Sequence, residues 1–253
     1  MPETKVAAGA VELHQFRYSH YNEKARWALD YKRIAHRRID YLPGPHAFFL
    51  PRLSGQRATP VLKVGGKTLA GSAAIVAELE RRFPERPLYP ADAAARAEAL
   101  ALERRFDEEL GPASRRMVYD GMLSTPQYIA TMFSQGRPAL QRALYLGAMP
   151  LIKELMRSGN GVTAESVAQA EKTVGEFLDF IGGKSARTGY LVGGTFTIAD
   201  LAAAALMSPV LRITHPDVAK PEPMPRRLCE IVARFDSHPA AAWVHEQYRR
   251  HRQ

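Results

Sequence analysis

ATPVLKVGGKTLAGSAAI, residues 58–75, predicts two strands joined by a tight turn and followed by a helix. PVLKV and KTLA are short, largely apolar runs with the length and composition of strands. Gly65 and Gly66 stand between them, and a pair of glycines is a strong signal for a two-residue hairpin turn. A helix is predicted from Ser72 to about Arg82. The stretch therefore predicts an antiparallel hairpin that leads directly into a helix.

Two further strands and a helix are predicted before this hairpin. VELHQF (11–16) alternates apolar and polar residues as a strand does, and HRRIDYL (36–42) is the second strand. Between them, EKARWALDYKRI (23–34) carries its apolar residues at helical spacing. A loop rich in proline and glycine then extends through residue 57. The order is β-α-β, a crossover and β-β-α, so residues 1–83 are predicted to form an α+β domain of thioredoxin-like order, β-α-β-α-β-β-α.

A proline-rich linker follows this first domain. FPERPLYPAD (83–92) has three prolines in ten residues, which interrupts both strands and helices. We therefore predict a linker over residues 84–92 and a second domain over residues 93–253. Everything after the linker is predicted to be helical.

The second half shows long helical stripes of apolar residues. One stripe comprises Ala99, Leu102, Phe106, Leu110, Ala113 and Met117. Pro112 lies inside it and predicts a kink. Another stripe covers residues 167–181, and between the two we expect one or two helices in an insertion at about 119–160. Thr197 and Asp200 predict a capping box at the start of a later helix, where each side chain bonds the other residue's backbone.

Composition and charge indicate a two-domain globular protein without a membrane segment, a disulfide or a metal site. A chain of 253 residues with 46% hydrophobic residues can bury the cores of two domains. It has no apolar run of the ~18 residues that span a bilayer and no secretory signal core, so we expect a cytoplasmic protein that does not bind membranes. The net charge of +9 is spread along the chain, which favours attraction of small anions over binding of nucleic acid. The single cysteine, Cys229, excludes an internal disulfide and reads as a packing residue, and the sequence shows no cluster of metal ligands.

These features together resemble the cytosolic glutathione transferase superfamily. The resemblance rests on the thioredoxin-like half, the proline-rich linker and the all-helical half with its T-x-x-D box inside YLVGGTFTIADL (190–201). It covers residues 11–110 and 163–250. It implies glutathione as co-substrate, a small apolar electrophile as second substrate, no metal, and a homodimer.

The motif ATPVL (58–62) carries the resemblance most strongly. In this family the proline that opens the third strand follows a cis peptide bond, so the resemblance implies a cis bond between Thr59 and Pro60. The Thr59 backbone would then exchange hydrogen bonds with the cysteinyl part of glutathione, as an added strand does. The alternative is an ordinary trans proline at a strand start.

AGSAAI (70–75) is the second motif. The resemblance implies that Ser72, at the start of a helix whose free N–H groups attract anions, binds the γ-glutamyl carboxylate of glutathione. The alternative is a helix cap only. Gly71 departs from the family, which has Glu, Gln or Asp at this position. Lys63 and Arg17 are candidates to pair with the glycyl carboxylate.

FRYSHYNEKARWALDY (16–31) is the third motif, and it places Ser19 at the family's catalytic serine or cysteine position. A free thiol with a pKa near ~8.5 is only ~3% thiolate at neutral pH, and a hydroxyl that donates to the sulfur stabilises the reactive thiolate. Tyr18 and Tyr21 are rival hydroxyl donors, and Ser19 has the alternative of a simple helix cap. His20 could add positive charge if protonated, or it could line the pocket for the electrophile.

The resemblance also implies a pocket for the second substrate against the kinked helix. Its candidate residues, each with the alternative of a core position, are His20, Tyr21, Phe106, Leu110, Arg116, Tyr119 and Met122. The expected activity is conjugation of the glutathione thiolate to an apolar electrophile. The alternatives are a non-catalytic binding module with this fold, or a glutathione-dependent isomerase, lyase or dehalogenase.

Overall fold

The computed structural model of the protein describes residues 11–252. Its sheet has four strands in the order β2-β1-β3-β4. The strands are β1 Val11–Gln15, β2 Arg37–Asp40, β3 Val61–Val64 and β4 Lys67–Ala70. The pair β1–β2 is parallel, and β1–β3 and β3–β4 are antiparallel. This mixed sheet confirms the predicted thioredoxin-like order, including the hairpin at residues 65–66.

Three helices complete the first half. They are α1 His20–Tyr31, α2 His46–Ser54 and α3 Ser72–Arg82. The helix α3 has the predicted bounds, whereas α1 begins and ends three residues earlier than predicted. The stretch predicted as a loop through residue 57 contains α2, the helix that the predicted order β-α-β-α-β-β-α places between the second and third strands. That helix accommodates Pro51 and ends at Gly55, whose φ of 76° is left-handed.

Buried ion pairs hold α1 against the helical half. Its Glu23 accepts a hydrogen bond of 2.7 Å from Nε of Arg252, near the other end of the chain. Its Lys24 reaches Glu103 at 2.8 Å and Asp107 at 2.5 Å. Removing one member of such a buried pair leaves an uncompensated charge in the interior. The start of α1 is therefore fixed relative to both halves of the molecule.

The first long stripe forms one interrupted rod. It consists of α4 Ala93–Arg105, a turn of π-helix over Phe106–Leu110, and α5 Gly111–Leu123. The interruption lies just ahead of Pro112 rather than at the proline itself. A π-turn inserts an extra residue into the helix and changes which residues face a given side.

Three short helices form the insertion, where one or two were predicted. They are α6 Pro126–Ser134, α7 Ala139–Gly147 and α8 Met149–Gly159. They pack against the segment before α2, where the Tyr145 hydroxyl donates to the Pro43 carbonyl at 3.0 Å. At Gly44, φ is 96° and a Cβ would come within 3.2 Å of Ile152, so glycine permits this close approach. The insertion thus lies beside the end of the sheet where α1 begins.

The remaining helices are α9 Ala164–Ser185, α10 Ile198–Met207, α11 Arg226–Asp236 and α12 Ala241–His251. Helix α10 packs against α1, α4, α5 and α12. Every residue of α10 is buried, and the predicted capping box is present at its start. Among the described residues, no helix combines the length and apolar character needed to cross a membrane.

Candidate active site

A cavity of about 630 Å³ lies between the two halves of the molecule. Its volume is within the usual range for small-molecule sites. Its walls come from the start of α1, the loop before β3, α5 and the insertion. The candidates from the sequence that line it are Tyr18, Ser19, His20, Tyr21, Thr59, Tyr119 and Met122.

Ser19 lies at the start of α1 without capping it. Its backbone is extended, with φ −106° and ψ 128°, and its carbonyl accepts the Glu23 N–H at 2.8 Å. Its side chain forms no capping hydrogen bond with the N–H groups of the helix. Ser19 thus lines the cavity at the positive end of α1, and its hydroxyl is not used to cap that end.

The two rival tyrosine hydroxyls have other partners. Tyr18 donates to Oε1 of Gln135 at 2.8 Å, and Tyr21 donates to the Asp107 carbonyl at 2.6 Å. Burial raises the pKa of Tyr21 to about 12. A Cβ at Gly111 would lie 2.2 Å from the Tyr21 hydroxyl, so the absence of a side chain there allows the ring its place. Both hydroxyls are engaged in holding the fold.

His20 is buried and neutral. Its Nε2 lies 2.9 Å from the Gly111 carbonyl, which can only accept, so this nitrogen carries the proton. Burial, reinforced by the nearby charge of Arg115, lowers the pKa of His20 to about 3. The expectation that a protonated His20 adds positive charge is therefore wrong, and the ring lines the cavity as an uncharged group.

Thr59 approaches the cavity from the sheet. The peptide bond between Thr59 and Pro60 is cis, so the alternative of a trans proline does not hold. The Thr59 hydroxyl accepts a hydrogen bond of 2.9 Å from Nδ2 of Asn22, a fully buried residue of α1. This bond ties the loop before β3 to the helix that begins at Ser19.

Gly71, Ser72 and Lys63 lie outside the lining of the cavity. Gly71 donates its N–H to the Pro60 carbonyl at 2.9 Å and has a φ of 91°, a conformation that glycine adopts without a steric penalty. Ser72 is the first residue of α3 and is only 5% exposed. Lys63 is paired in register with Glu12 in the middle of the sheet.

Phe106 is a core residue and not a wall of the cavity. It is fully buried, and its ring centroid lies 5.5 Å from that of Phe177 and 6.4 Å from that of Phe180. Leu110 is likewise fully buried in the main core. Arg116 lies outside the lining and donates to the Asn160 carbonyl at 3.3 Å. The cavity instead faces the side of α5 that carries Tyr119.

Two arginines of the cavity were not among the candidates from the sequence. Arg57 precedes Thr59 by two residues, and Arg115 precedes Tyr119 by one helical turn on α5. The sequence could have indicated both arginines. Arg57 lies in the same loop as Thr59, and Arg115 lies on the same face of α5 as Tyr119. Among the described residues, no carboxylate lines the cavity, so its walls favour an anionic ligand.

A smaller cavity of about 50 Å³ adjoins Ser19 and His20 and extends to Lys220. Nζ of Lys220 donates to the carbonyls of Leu211 at 2.7 Å and Ser208 at 3.2 Å. Burial lowers the pKa of Lys220 to about 8. Nothing in the sequence near Lys220 pointed to the site, because the residue is distant from Ser19 along the chain.

Two family models match the chain. The model of the glutathione S-transferase N-terminal domain matches residues 13–87, and that of the C-terminal domain matches residues 144–233. Together they cover more than half of the sequence. The chain belongs to the cytosolic glutathione transferase superfamily. No curated protein sequence matches it.

Solved structures of glutathione transferases and related proteins share this fold. FzlA from C. crescentus matches with a TM-score of 0.63 and 20% identity, over 95% of this chain and 88% of its own. The beta-etherase LigF from Sphingobium sp. strain SYK-6 matches with a TM-score of 0.61 and 21% identity, over 94% and 99%. Rice GST1, solved in complex with glutathione, matches with a TM-score of 0.61 and 19% identity, over 96% and 90%.

Proposed function

We propose that this glutathione transferase homologue binds glutathione in its first half, holds the thiolate with the Ser19 hydroxyl, and transfers it to an apolar electrophile. The observation that carries the proposal is the Ser19 side chain, which lines the cavity without capping α1. The rival hydroxyls already donate hydrogen bonds, that of Tyr18 to the Gln135 side chain and that of Tyr21 to the Asp107 carbonyl.

The stabilisation that Ser19 and the start of α1 can give a thiolate matches the free energy needed to lower the pKa of the thiol. Lowering a thiol pKa by about two units requires about 2.7 kcal/mol of selective stabilisation of the thiolate. A hydrogen bond to a charged group contributes roughly 1.5–3 kcal/mol. The positive end of a helix adds roughly 0.3–1 kcal/mol. Ser19 and the first N–H groups of α1 together match the requirement.

The rest of glutathione has candidate partners in the loop before β3 and at the start of α3. Thr59 lines the cavity, and its backbone is proposed to pair with the cysteinyl part, as in an added strand. Ser72 at the start of α3 is proposed for the γ-glutamyl carboxylate. Arg57 lines the cavity two residues before Thr59, so it is better placed for the glycyl carboxylate than Lys63 or Arg17.

The reaction step follows from this placement. The thiol proton passes to solvent, and the thiolate attacks an electrophilic carbon held against the aromatic wall formed by Phe16, Tyr119 and Phe133. A carbon–sulfur bond forms while the leaving group departs with its electron pair. Proximity and thiol activation supply the rate enhancement.

Cleavage of an ether by glutathione is the second candidate, and Lys220 favours it. An alkoxide or phenoxide leaves poorly unless it receives a proton, and Lys220 lines the small cavity beside Ser19. In that reaction the thiolate displaces the ether oxygen, and Lys220 protonates the departing oxygen to give a thioether and an alcohol.

Retention on immobilised glutathione and turnover of a chlorodinitrobenzene test the proposal. We expect retention, and a loss of kcat/KM of about 10- to 100-fold in Ser19→Ala. Tyr21→Phe and Tyr18→Phe serve as matched controls that lose a hydroxyl next to Ser19, and both should keep the rate. Failure of the wild type to bind glutathione would refute the proposal, and binding without turnover would indicate a non-catalytic module.

An aryl ether substrate separates the two candidate reactions. Chloride leaves without a proton, so Lys220→Met should not change turnover of the chlorodinitrobenzene. If the ether is a substrate, Lys220→Met should slow its cleavage by about 100-fold, the usual size of a general-acid effect. Equal effects on both substrates would contradict a role for Lys220 in protonation.

A further inference from the structure

Arg115 is a charged group of the cavity wall without a partner in the protein. It lies on α5, and its Nε is buried with no hydrogen-bond partner. Within residues 11–252, no carboxylate forms an ion pair with its guanidinium group. By contrast, the buried Arg26 and Arg252 pair with Glu23 at 2.9 and 2.7 Å. Arg115 is only partly buried as a whole, but its buried Nε–H has no acceptor in the protein, so an anion bound in the cavity would satisfy that donor.

The guanidinium group of Arg115 lies near two other residues of the cavity wall, Tyr21 and His20. Its guanidinium carbon lies 5.8 Å from the centre of the Tyr21 ring. Its charge contributes to lowering the pKa of His20, which lies on the cavity wall. His20 is neutral, so it neither competes for an anion nor repels Arg115. The electrostatic effect of Arg115 is thus exerted on the wall that also carries Ser19.

Much of the remaining lining is aromatic or apolar, although His46, Arg57, Thr59 and Asn160 add polar groups to it. Aromatic rings and methionines from both halves form the apolar part of this cavity of about 630 Å³. They are Phe16, Tyr18, Tyr119, Met122, Phe133 and Met156. Aromatic walls favour stacking or edge contacts with an aromatic ligand. A guanidinium group among them adds a planar fork that matches a carboxylate.

We propose that Arg115 binds the carboxylate of an aromatic acid, so that the second substrate of this protein is an electrophile whose otherwise apolar aromatic ring carries one carboxylate. This inference rests on the proposed function, because it treats the cavity beside Ser19 as the pocket of the second substrate. Arg115 comes from the helical half and Ser19 from the sheet half. An arene anchored at Arg115 therefore presents its reactive carbon across the cavity, towards the thiolate.

Equilibrium binding of naphthoate and of its uncharged isostere naphthamide tests the inference. Both are measured by calorimetry on the full chain, alone and saturated with S-methylglutathione. We expect naphthoate to bind about 10-fold or more tighter than naphthamide, as for a hydrogen-bonded charge pair. Arg115→Met should remove the difference, and Arg115→Lys should retain part of it. Arg104→Met, an exposed arginine on the same rod, should leave it unchanged.

Three results would overturn the inference. The first is equal affinity for the acid and the amide, and the second is a preference that persists in Arg115→Met. The third is displacement of naphthoate by S-methylglutathione, which would assign Arg115 to a carboxylate of glutathione itself. These measurements need no turnover. A chain that selects naphthoate through Arg115 but does not bind S-methylglutathione would support the subsite and reject the proposed transferase activity.

Discussion

The start of α1 and the start of α10 have similar backbones and opposite chemistry. At α10, Thr197 and Asp200 bond each other, and the Asp200 carboxylate accepts from the N–H of Thr197 at 2.8 Å and of Leu191 at 2.7 Å. At α1, Ser19 occupies the corresponding position with an extended backbone, yet its hydroxyl caps nothing. Helix α1 begins at the cavity, whereas α10 begins inside the core.

The difference shows how a helix start is used in each place. Free N–H groups inside a core must be satisfied by the protein, because an unpaired buried donor costs about 1–3 kcal/mol. The same groups at a cavity can be satisfied by a ligand. Asp92, the exposed cap of α4, is an intermediate case, since it accepts from the Ala95 N–H at 2.8 Å near solvent. Substitutions at the three starts should therefore differ in a graded way.

The largest effect on stability is expected for Asp200→Ala. The substitution leaves the Leu191 and Thr197 donors buried without partners, so the free energy of unfolding should fall by about 3 kcal/mol or more. Urea unfolding followed by circular dichroism measures it. A loss below about 1 kcal/mol would mean that the box is no more important than an exposed cap.

The next effect is a pH dependence at the first residue of α1. His20 has a pKa of about 3 when folded, against an ordinary value near ~6.5 when unfolded, so the unfolded chain binds more protons between these values. The contribution of His20 to the free energy of unfolding is complete above about pH 6.5. It decreases by about 1.4 kcal/mol for each unit by which the pH falls below that value.

The variant His20→Gln removes this titration and keeps a donor for the Gly111 carbonyl. The slope of the unfolding free energy between about pH 6 and pH 4 should therefore be lower than in the wild type by about 1.4 kcal/mol per unit. Identical slopes in the two proteins would show that His20 is accessible to solvent.

A smaller effect is expected for Asp92→Ala. The lost bond is exposed, so the free energy of unfolding should fall by about 1 kcal/mol. Asp92→Asn is the matched control, because asparagine caps about as well and should restore most of the loss. A loss as large as that of Asp200→Ala would erase the distinction between an exposed cap and a buried one.

Several elements in both halves could be predicted because their signals are local. The glycine pair at 65–66, the helix from Ser72 and the box at Thr197 each depend on a few adjacent residues, and the structure has all three. The helix between the second and third strands was predicted in the element order but without bounds, because Pro51 and the glycines that flank α2 are typical of loops. The insertion was undercounted because α7 and α8 are short and join almost directly.

The wall of the cavity depended on the rotation of a helix, which the sequence did not reveal. The predicted stripe that contains Phe106 continues through Leu110, Ala113 and Met117, and all of these residues lie in the main core. Another face of the same rod carries Arg115, Tyr119 and Met122 at helical spacing and lines the cavity. Phe106, Tyr119 and Met122 were predicted on one pocket wall because the rotation of the helix could not be read from the sequence.

The pKa of the bound glutathione thiol tests the proposed role of Ser19 most directly. It is measured from the ultraviolet absorbance of the thiolate as a function of pH, on wild type and Ser19→Ala saturated with glutathione. In the wild type we predict a value about two units below the ordinary ~8.5, and in Ser19→Ala a rise of about one unit or more. Urea unfolding of the two proteins should agree within about 0.5 kcal/mol. The same thiol pKa in both, or a large loss of stability in Ser19→Ala, would contradict the account and leave the serine as a structural residue.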